Sequence, residues 1–202
     1  MSRRSFVAVV VVMAVTVVVL ATVGRGFFAP SNDAQQATVV GKASIGGPFQ
    51  LIDGTGKPVS DMDFRGKYMI IYFGYTFCPD VCPTSLGEIA DALDMLSPDQ
   101  LEKIVPIFIS VDPERDTPEV VGDYVTHFHD RLIGLTGSLD AVKSVAKSYK
   151  AYFSKGDVDD VGNYPVDHTS YTYVVGPDGK FVTAYRHATP AQDMAKSLKD
   201  ML

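Results

Sequence analysis

The sequence predicts an α/β protein, and three observations support this. An apolar run of strand length ends just before the two cysteines of the chain, and an amphipathic, helix-like segment follows them. Further apolar and amphipathic segments then continue in the overall order β, α, β, α, β, α, β, β, α. A thiol pair where the first central strand meets its helix is typical of a thioredoxin-like fold. Here that fold carries an extra N-terminal hairpin and an insertion before its final hairpin.

A short N-terminal region precedes this predicted domain. Residues 6–23 form an apolar run that would span about 27 Å as a helix, long enough to cross a bilayer. Because two arginines precede the run, residues 1–5 are predicted to be cytoplasmic and the rest of the chain to lie across the membrane. Residues 24–41 are predicted to form a linker, which leaves residues 42–202 as the folded domain.

The apolar run has three interpretations. Since residues 21–29 contain no clean small-x-small cleavage site, an uncleaved anchor is favoured over a cleaved signal peptide. Residues 2–7, SRRSFV, also resemble a twin-arginine export signal, which would imply export of an already folded domain. That alternative stays open, although the very apolar run disfavours it.

Net charge and cysteine count limit the classes of function that the protein can have. The net charge of −6 becomes −8 when Arg3 and Arg4 are set aside, and no basic patch indicates nucleic-acid binding. An exported domain meets oxidants, so its two cysteines either form a disulfide or are kept reduced for a purpose. The sequence therefore predicts no nucleic-acid partner.

The predicted domain begins with a hairpin. Two short apolar segments, residues 49–52 and the region of Val59, flank the turn sequence DGTGKP. Residues 69–73 are the apolar strand that leads to the cysteines. Pro83 suits the first position of a helix, so Cys82 is predicted to be the N-cap of a helix that runs to about residue 96.

The middle of the chain predicts a buried strand and two more helices. Residues 104–111 are almost entirely apolar, as expected for a strand buried on both faces of a parallel sheet. A helix is predicted over residues 117–128, a short strand over 132–135 and a third helix over 138–149. The polar, acidic residues 154–167 are predicted to be an excursion over the surface.

A hairpin and a helix complete the predicted domain. Strands are predicted over residues 170–175 and 180–185, joined by the turn sequence GPDG. Residues 189–192, TPAQ, are predicted to be a capping box that opens the terminal helix.

The cysteine pair is predicted to be reactive. Thiols at a helix N-terminus have pKa values lowered from about 8.5 to between roughly 3.5 and 7.5, so Cys78 and Cys82 are predicted to be thiolates at neutral pH. In an open α/β sheet, ligands bind at the carboxyl ends of the parallel strands. Thiolates at this edge would bind a soft metal or exchange disulfides.

Topology ranks the four histidines as partners for the cysteines. His168 is favoured because it immediately precedes a strand predicted to lie beside the cysteine strand and antiparallel to it. His187 returns to the same edge one strand further out and is the reserve. His127 and His129 end a crossover helix and are predicted to lie far from the cysteines.

Ligand chemistry favours copper at such a site. Two thiolates and one imidazole form a soft, three-coordinate set that suits Cu(I), and the same set occurs in Cu(II) sites. Zinc usually requires a fourth ligand in a structural site, and the sequence offers no obvious one. A structural disulfide remains the alternative for the two cysteines.

Several motifs resemble the Sco/SenC family over about residues 45 to 200. They are GYTFCPDVCP at residues 74–83, SVDPERDT at 110–117, VDHT at 166–169 and GPDG at 176–179. The resemblance implies a thioredoxin-like domain anchored on the bacterial periplasmic or mitochondrial intermembrane side. It also implies copper binding through Cys78, Cys82 and His168 and assembly of the copper A centre in subunit II of cytochrome c oxidase.

The leading interpretation is a copper metallochaperone held in the bacterial inner membrane, with its domain in the periplasm. The recipient would be oxidase subunit II, and other periplasmic copper chaperones are candidate donors. A thiol–disulfide oxidoreductase acting through the pair Cys78 and Cys82 is the first alternative, and a copper or redox sensor is the second. The sequence leaves enzyme activity undecided.

Three acidic residues near the motifs have two interpretations each. Asp80 either tunes the site or is a solvated turn residue, and Asp112 either orients the cysteine segment or pairs locally with Arg115. Asp167 is either a hydrogen-bond partner of the imidazole or an ordinary surface residue.

Overall fold

The structure is a computed structural model that describes residues 45–202. The predicted cytoplasmic N-terminus, anchor and linker, residues 1–5, 6–23 and 24–41, lie outside the described residues. Within residues 45–202, none of the helices combines the length and apolar character that crossing a membrane requires.

Strands and helices alternate along most of the described chain. The strands are β1 (Gln50–Asp53), β2 (Pro58–Ser60), β3 (Tyr68–Gly74), β4 (Ile104–Ser110), β5 (Ile133–Thr136), β6 (Phe153–Lys155), β7 (Val166–His168), β8 (Thr172–Val175) and β9 (Phe181–Tyr185). The α-helices are α1 (Val81–Asp94), α2 (Pro98–Leu101), α3 (Pro118–Thr126), α4 (Leu139–Tyr149) and α5 (Ala191–Met201), and a 3₁₀ turn spans Asp61–Phe64.

A seven-stranded sheet in the order β2-β1-β5-β4-β3-β8-β9 forms the centre of the domain. Strands β3, β4 and β5 are parallel, whereas the neighbours on both sides are antiparallel. β4 is fully buried and β3 nearly so, as their continuous apolar sequences require. The predicted α/β class and the N-terminal hairpin β1–β2 are therefore confirmed.

The register of the sheet places three chain segments at one edge. Gly74 at the end of β3 lies beside Ser110 at the end of β4. Because β8 runs antiparallel to β3, its first residue, Thr172, pairs with Tyr72 near that same end. The segment that precedes β8 therefore approaches the residues that follow β3, as the sequence predicted.

The C-terminal helix begins differently from the prediction. The predicted capping box is wrong, because Pro190 is the N-cap residue of α5 and makes no side-chain cap bond. The Thr189 hydroxyl donates instead to the Arg186 carbonyl. The backbone N–H of Ala191 donates to the Glu88 carboxylate of α1 at 2.7 Å, so a neighbouring helix supplies the acceptor.

The predicted surface excursion of residues 154–167 contains regular structure at its ends. β6 and β7 pair there as a separate two-stranded antiparallel sheet, with Phe153 opposite His168. Strands of three residues are too short to show an alternating pattern, which is why the sequence did not reveal them. His168 is consequently the last residue of β7 and not a turn residue directly before β8.

Candidate metal centre

Both cysteines follow β3, on a segment called here the cysteine loop, residues 75–82. Helix α1 begins at Val81, with Asp80 as its N-cap residue. The prediction that Cys82 is the N-cap and Pro83 the first helical residue is therefore wrong by two positions. Pro83 is compatible with the earlier start because the first N–H groups of a helix have no partner within it.

The sulfur of Cys78 takes the place that a capping side chain usually fills. The backbone N–H of Cys82 donates to Cys78 Sγ at 3.4 Å. The side chain of Asp80 makes no cap hydrogen bond and is exposed, as its interpretation as a solvated turn residue requires. The helix N-terminus therefore favours negative charge on Cys78.

The structure brings together the two cysteines and the favoured histidine. One ligand atom from each of Cys78, Cys82 and His168 lies within 4.8 Å of the other two. Cys82 Sγ is 3.3 Å from His168 Nε2. Both cysteines are buried and His168 is half-buried, so the group lies just beneath the surface. Such spacing suits a single ion held by all three side chains.

The two thiols differ in their affinity for protons. A hydrogen bond from Cys82 lowers the pKa of Cys78 to about 4, and backbone N–H groups add to the effect while burial opposes it. The same hydrogen bond, together with burial, raises the pKa of Cys82 above its usual value. The pair thus holds one thiolate and one thiol, whereas the sequence predicted two thiolates.

His168 is oriented by a backbone carbonyl and by two aromatic rings. Its Nδ1 atom is 3.2 Å from the Thr169 carbonyl oxygen, and a proton donated there leaves the Nε2 lone pair for a metal. The rings of Tyr72 and Tyr75 lie edge-on to the imidazole, with centroids 6.2 and 5.7 Å away. Asp167, one predicted hydrogen-bond partner of the imidazole, is exposed, and the Thr169 carbonyl is the partner instead.

The other three histidines lie outside the ligand group among the described residues. His187 Nδ1 is 3.0 Å from the Ser85 hydroxyl, so the reserve candidate contacts α1 instead. His129 lies 3.5 Å from Asp94, and His127 Nδ1 lies 3.0 Å from the carbonyl oxygen of Asp123 in α3. His127 also lines a surface groove with Phe77, so it lies nearer the cysteine loop than predicted.

Asp116 anchors the cysteine loop, and the sequence analysis did not single it out. This fully buried carboxylate accepts hydrogen bonds from the Thr76 backbone N–H at 3.0 Å and from the Thr76 hydroxyl at 2.6 Å. It also accepts one from the Ser110 hydroxyl at 2.6 Å. Its place in the motif at residues 110–117, just beyond a buried strand, was the available clue.

Asp112 forms the local pair that was one of its two interpretations. Its carboxylate lies 2.5 Å from Arg115 Nε and accepts a hydrogen bond from the Tyr164 hydroxyl at 2.9 Å. Direct hydrogen bonding to the cysteine loop is therefore made by Asp116, while Asp112 connects to the segment that carries His168.

Gly74 makes room for the sulfur of Cys82. A Cβ atom added at this position would lie 2.6 Å from Cys82 Sγ and 2.9 Å from the Phe108 ring. Contacts this short do not occur in folded proteins, so the sulfur can occupy its place only beside a glycine.

The fold and the site together define a class: an α/β protein whose central sheet presents a soft thiol–imidazole group able to hold a metal ion. Within that class, the chain belongs to the SCO1/SenC family, whose family model matches residues 37–202.

Curated relatives extend over most of the described domain. The chain is 49% identical over 145 residues to the mitochondrial protein SCO1 homolog 1 of Arabidopsis thaliana, covering 72% of this chain and 43% of that protein. It is 42% identical over 160 residues to the mitochondrial SCO1 homolog of Homo sapiens, covering 79% and 53%. The chain thus spans about half the length of these relatives.

Solved structures match the same region. ScoI of Bradyrhizobium japonicum with copper bound has a TM-score of 0.73 at 44% identity, covering 79% of this chain and all of that one. BsSco, described as having a disulfide switch and as a member of the Sco family of cytochrome c oxidase assembly proteins, has a TM-score of 0.62 at 28% identity, covering 78% and 92%.

Proposed function

We propose that the protein is a copper metallochaperone for cytochrome c oxidase assembly. The observation that carries the proposal is the convergence of two sulfur atoms and one imidazole nitrogen within 4.8 Å of one another. Sco proteins of Arabidopsis thaliana, Bradyrhizobium japonicum and yeast have structures with copper bound. We assign copper, as Cu(I) or Cu(II), to Cys78, Cys82 and His168.

The ligand set suits a metal that is carried and then released. Thiolates and an imidazole bind copper well, and three protein ligands leave space for a ligand from the recipient to enter before one of them departs. Because the thiolate is the binding form, Cys82 must lose its proton on loading. Loading of the pair therefore releases one proton to solvent.

The proposed recipient is the copper A site in subunit II of the oxidase, and another periplasmic chaperone would supply the metal. Residues 6–23 would anchor the protein in the bacterial inner membrane, with the domain in the periplasm. Protease added to spheroplasts should then digest the domain, while intact cells protect it. Resistance in spheroplasts would contradict this placement.

A thiol–disulfide oxidoreductase is the second candidate, because one thiolate lies beside a second thiol. The Cys78 thiolate would attack a disulfide of the recipient and form a mixed disulfide, which Cys82 would resolve. The recipient disulfide would gain two electrons, the proton of Cys82 and one proton from solvent to become two thiols, and Cys78 and Cys82 would end as a disulfide. Reduction of the recipient without bound copper would favour this function.

A copper titration of the purified protein tests the leading proposal. Wild type should bind one copper ion with a thiolate-to-Cu(II) charge-transfer band, and His168→Ala should bind more weakly while keeping its fold. His187→Ala is the matched control, since that ring contacts Ser85 and should leave affinity unchanged. Unchanged affinity of His168→Ala for both oxidation states would remove His168 from the site.

A further inference from the structure

We propose that Arg115 is a positioning residue that holds the segment carrying His168 against the cysteine loop. The guanidinium carbon of Arg115 lies 3.7 Å from the centroid of the Tyr164 ring and 4.8 Å from that of Phe77. Phe77 directly precedes Cys78, and Tyr164 lies four residues before His168. One planar cation therefore contacts an aromatic neighbour of each ligand-bearing segment.

Arg115 is itself held in place from the central sheet. Its Nε atom pairs with Asp112 at 2.5 Å, and that carboxylate accepts the Tyr164 hydroxyl. The side chain is 16% exposed and the Asp112 side chain 5%. The next residue, Asp116, binds the cysteine loop directly. The Arg115 side chain is thus restrained, so Phe77 and Tyr164 both pack against a guanidinium in one position.

The chemistry of the contact requires an arginine. Arg115 Nη2 is buried and has no hydrogen-bond partner among the described residues, an arrangement that is unfavourable in itself. Hydrogen bonding alone therefore does not account for the guanidinium position. Stacking of a planar cation on aromatic rings does, and a lysine ammonium cannot reproduce that geometry.

The His168 segment depends on such contacts more than the cysteine loop does. β6 and β7 form their own small sheet, separate from the seven-stranded one. Around it, Lys155 lies 2.5 Å from Glu114 and 3.9 Å from the Tyr164 ring centroid, but both charged side chains are about half exposed. Exposed ion pairs contribute little, so the buried contact between Arg115 and Tyr164 is the stronger link.

Arg115→Lys tests the inference, with Arg131→Lys as the matched control. Arg131 pairs with Glu102 at 2.8 Å and contacts neither ligand-bearing segment. In the apo-protein, Arg115→Lys should shift and broaden the His168 ring resonances in NMR spectra. In the loaded protein it should weaken Cu(I) binding about fivefold to tenfold. Arg131→Lys should match wild type in both measurements.

A second variant guards against a folding defect. Phe77 is 58% exposed, so Phe77→Leu removes one stacked ring without emptying the core, and it should produce the same changes. If Arg115 acts through His168, then Arg115→Lys combined with His168→Ala should bind copper no more weakly than His168→Ala alone. Additive losses, or wild-type behaviour of Arg115→Lys, would overturn the inference.

The inference rests on the proposed function only in its copper measurements. Failure of wild type to bind copper would count against the proposed function. The His168 ring spectra would still decide the role of Arg115 in that case, because they are recorded without metal.

Discussion

The two segments that carry the candidate ligands are held in different ways. The cysteine loop continues directly from β3 into α1, and Asp116 and Gly74 fit it to the central sheet. His168 ends a three-residue strand of a separate small sheet and is oriented by side-chain contacts and one carbonyl. The two sulfurs are therefore held by the main sheet and helix α1, whereas the imidazole belongs to a peripheral segment that packs against them.

This difference indicates which ligand yields first. Segments with few buried contacts open at lower free energy than the core does. The imidazole can therefore leave the ligand group without disturbing the main sheet. Cys82 lies in the first turn of α1 and Cys78 in the loop that Asp116 anchors, so displacing the segment of either sulfur disturbs the main fold more. An incoming ligand would replace His168 before it replaced a cysteine.

The largest effect is expected at the cysteine loop from Gly74→Ala. The new methyl group would press on Cys82 Sγ at 2.6 Å and on Phe108 at 2.9 Å. We expect a loss of about 1–3 kcal/mol in the free energy of unfolding and a loss of about 100-fold in Cu(I) affinity, at the upper end of the range usual for groups that support metal ligands. Urea denaturation and a competition titration measure both.

The matched control is Gly87→Ala in α1, where an added Cβ meets nothing within 4 Å. That variant should gain about 1 kcal/mol from helix propensity and keep its copper affinity. Equal copper affinities of the two variants would show that Gly74 is not needed to seat Cys82.

A smaller effect on copper affinity, with a similar loss of stability, is expected from Asp116→Ala, which removes the anchor of the cysteine loop. The Thr76 N–H and the Ser110 hydroxyl would lose their shared acceptor, which costs about 1–3 kcal/mol in stability. Copper affinity should fall about 10- to 100-fold, as is typical when a group supporting metal ligands is removed. The exposed Asp91→Ala serves as control, and equal copper affinity in both variants would refute the role.

A still smaller effect is expected at the His168 segment from Gly156→Ala. The added Cβ would lie 2.9 Å from the Pro165 ring and would displace the start of β7. Because the small sheet is peripheral, the free energy of unfolding should change little, while Cu(I) affinity falls by about tenfold or less. A stability loss as large as that of Gly74→Ala would contradict the view that the His168 segment is less firmly held than the cysteine loop.

The most specific test concerns protonation of the cysteine pair. Since the pKa of Cys78 is about 4, its thiolate is fully formed above about pH 6, and its alkylation rate should be constant between pH 6 and 9. In Cys82→Ala the main hydrogen bond is absent, so the pKa should rise and the rate should increase with pH over that range. A wild-type rate that rises about tenfold per pH unit would contradict the assignment.

The cysteine loop was largely predictable from sequence, whereas the His168 segment was only partly so. A buried strand, two cysteines and a proline follow one another in the chain, and local rules place them with an error of two residues in the helix start. The position of His168 followed from strand order, but β6 and β7 are too short to carry a periodic pattern.

Contacts between distant residues escaped the sequence analysis. Thr76 donates to Asp116 and Ala191 donates to Glu88, across 40 and 103 positions of the sequence, and no local pattern predicts either hydrogen bond. The capping-box prediction at residues 189–192 was wrong for this reason: an acceptor on another helix replaced the local one. The Thr169 carbonyl was overlooked because every residue has such a group.

The pairing of β8 with β3 also sets an order of events. Tyr72 lies opposite Thr172, a hundred residues later in the chain, so the imidazole reaches the thiols only once this long-range pairing has formed. Until then the chain offers a thiol pair without an imidazole. A chain in which β8 has not yet paired with β3 would therefore hold any metal ion through sulfur alone.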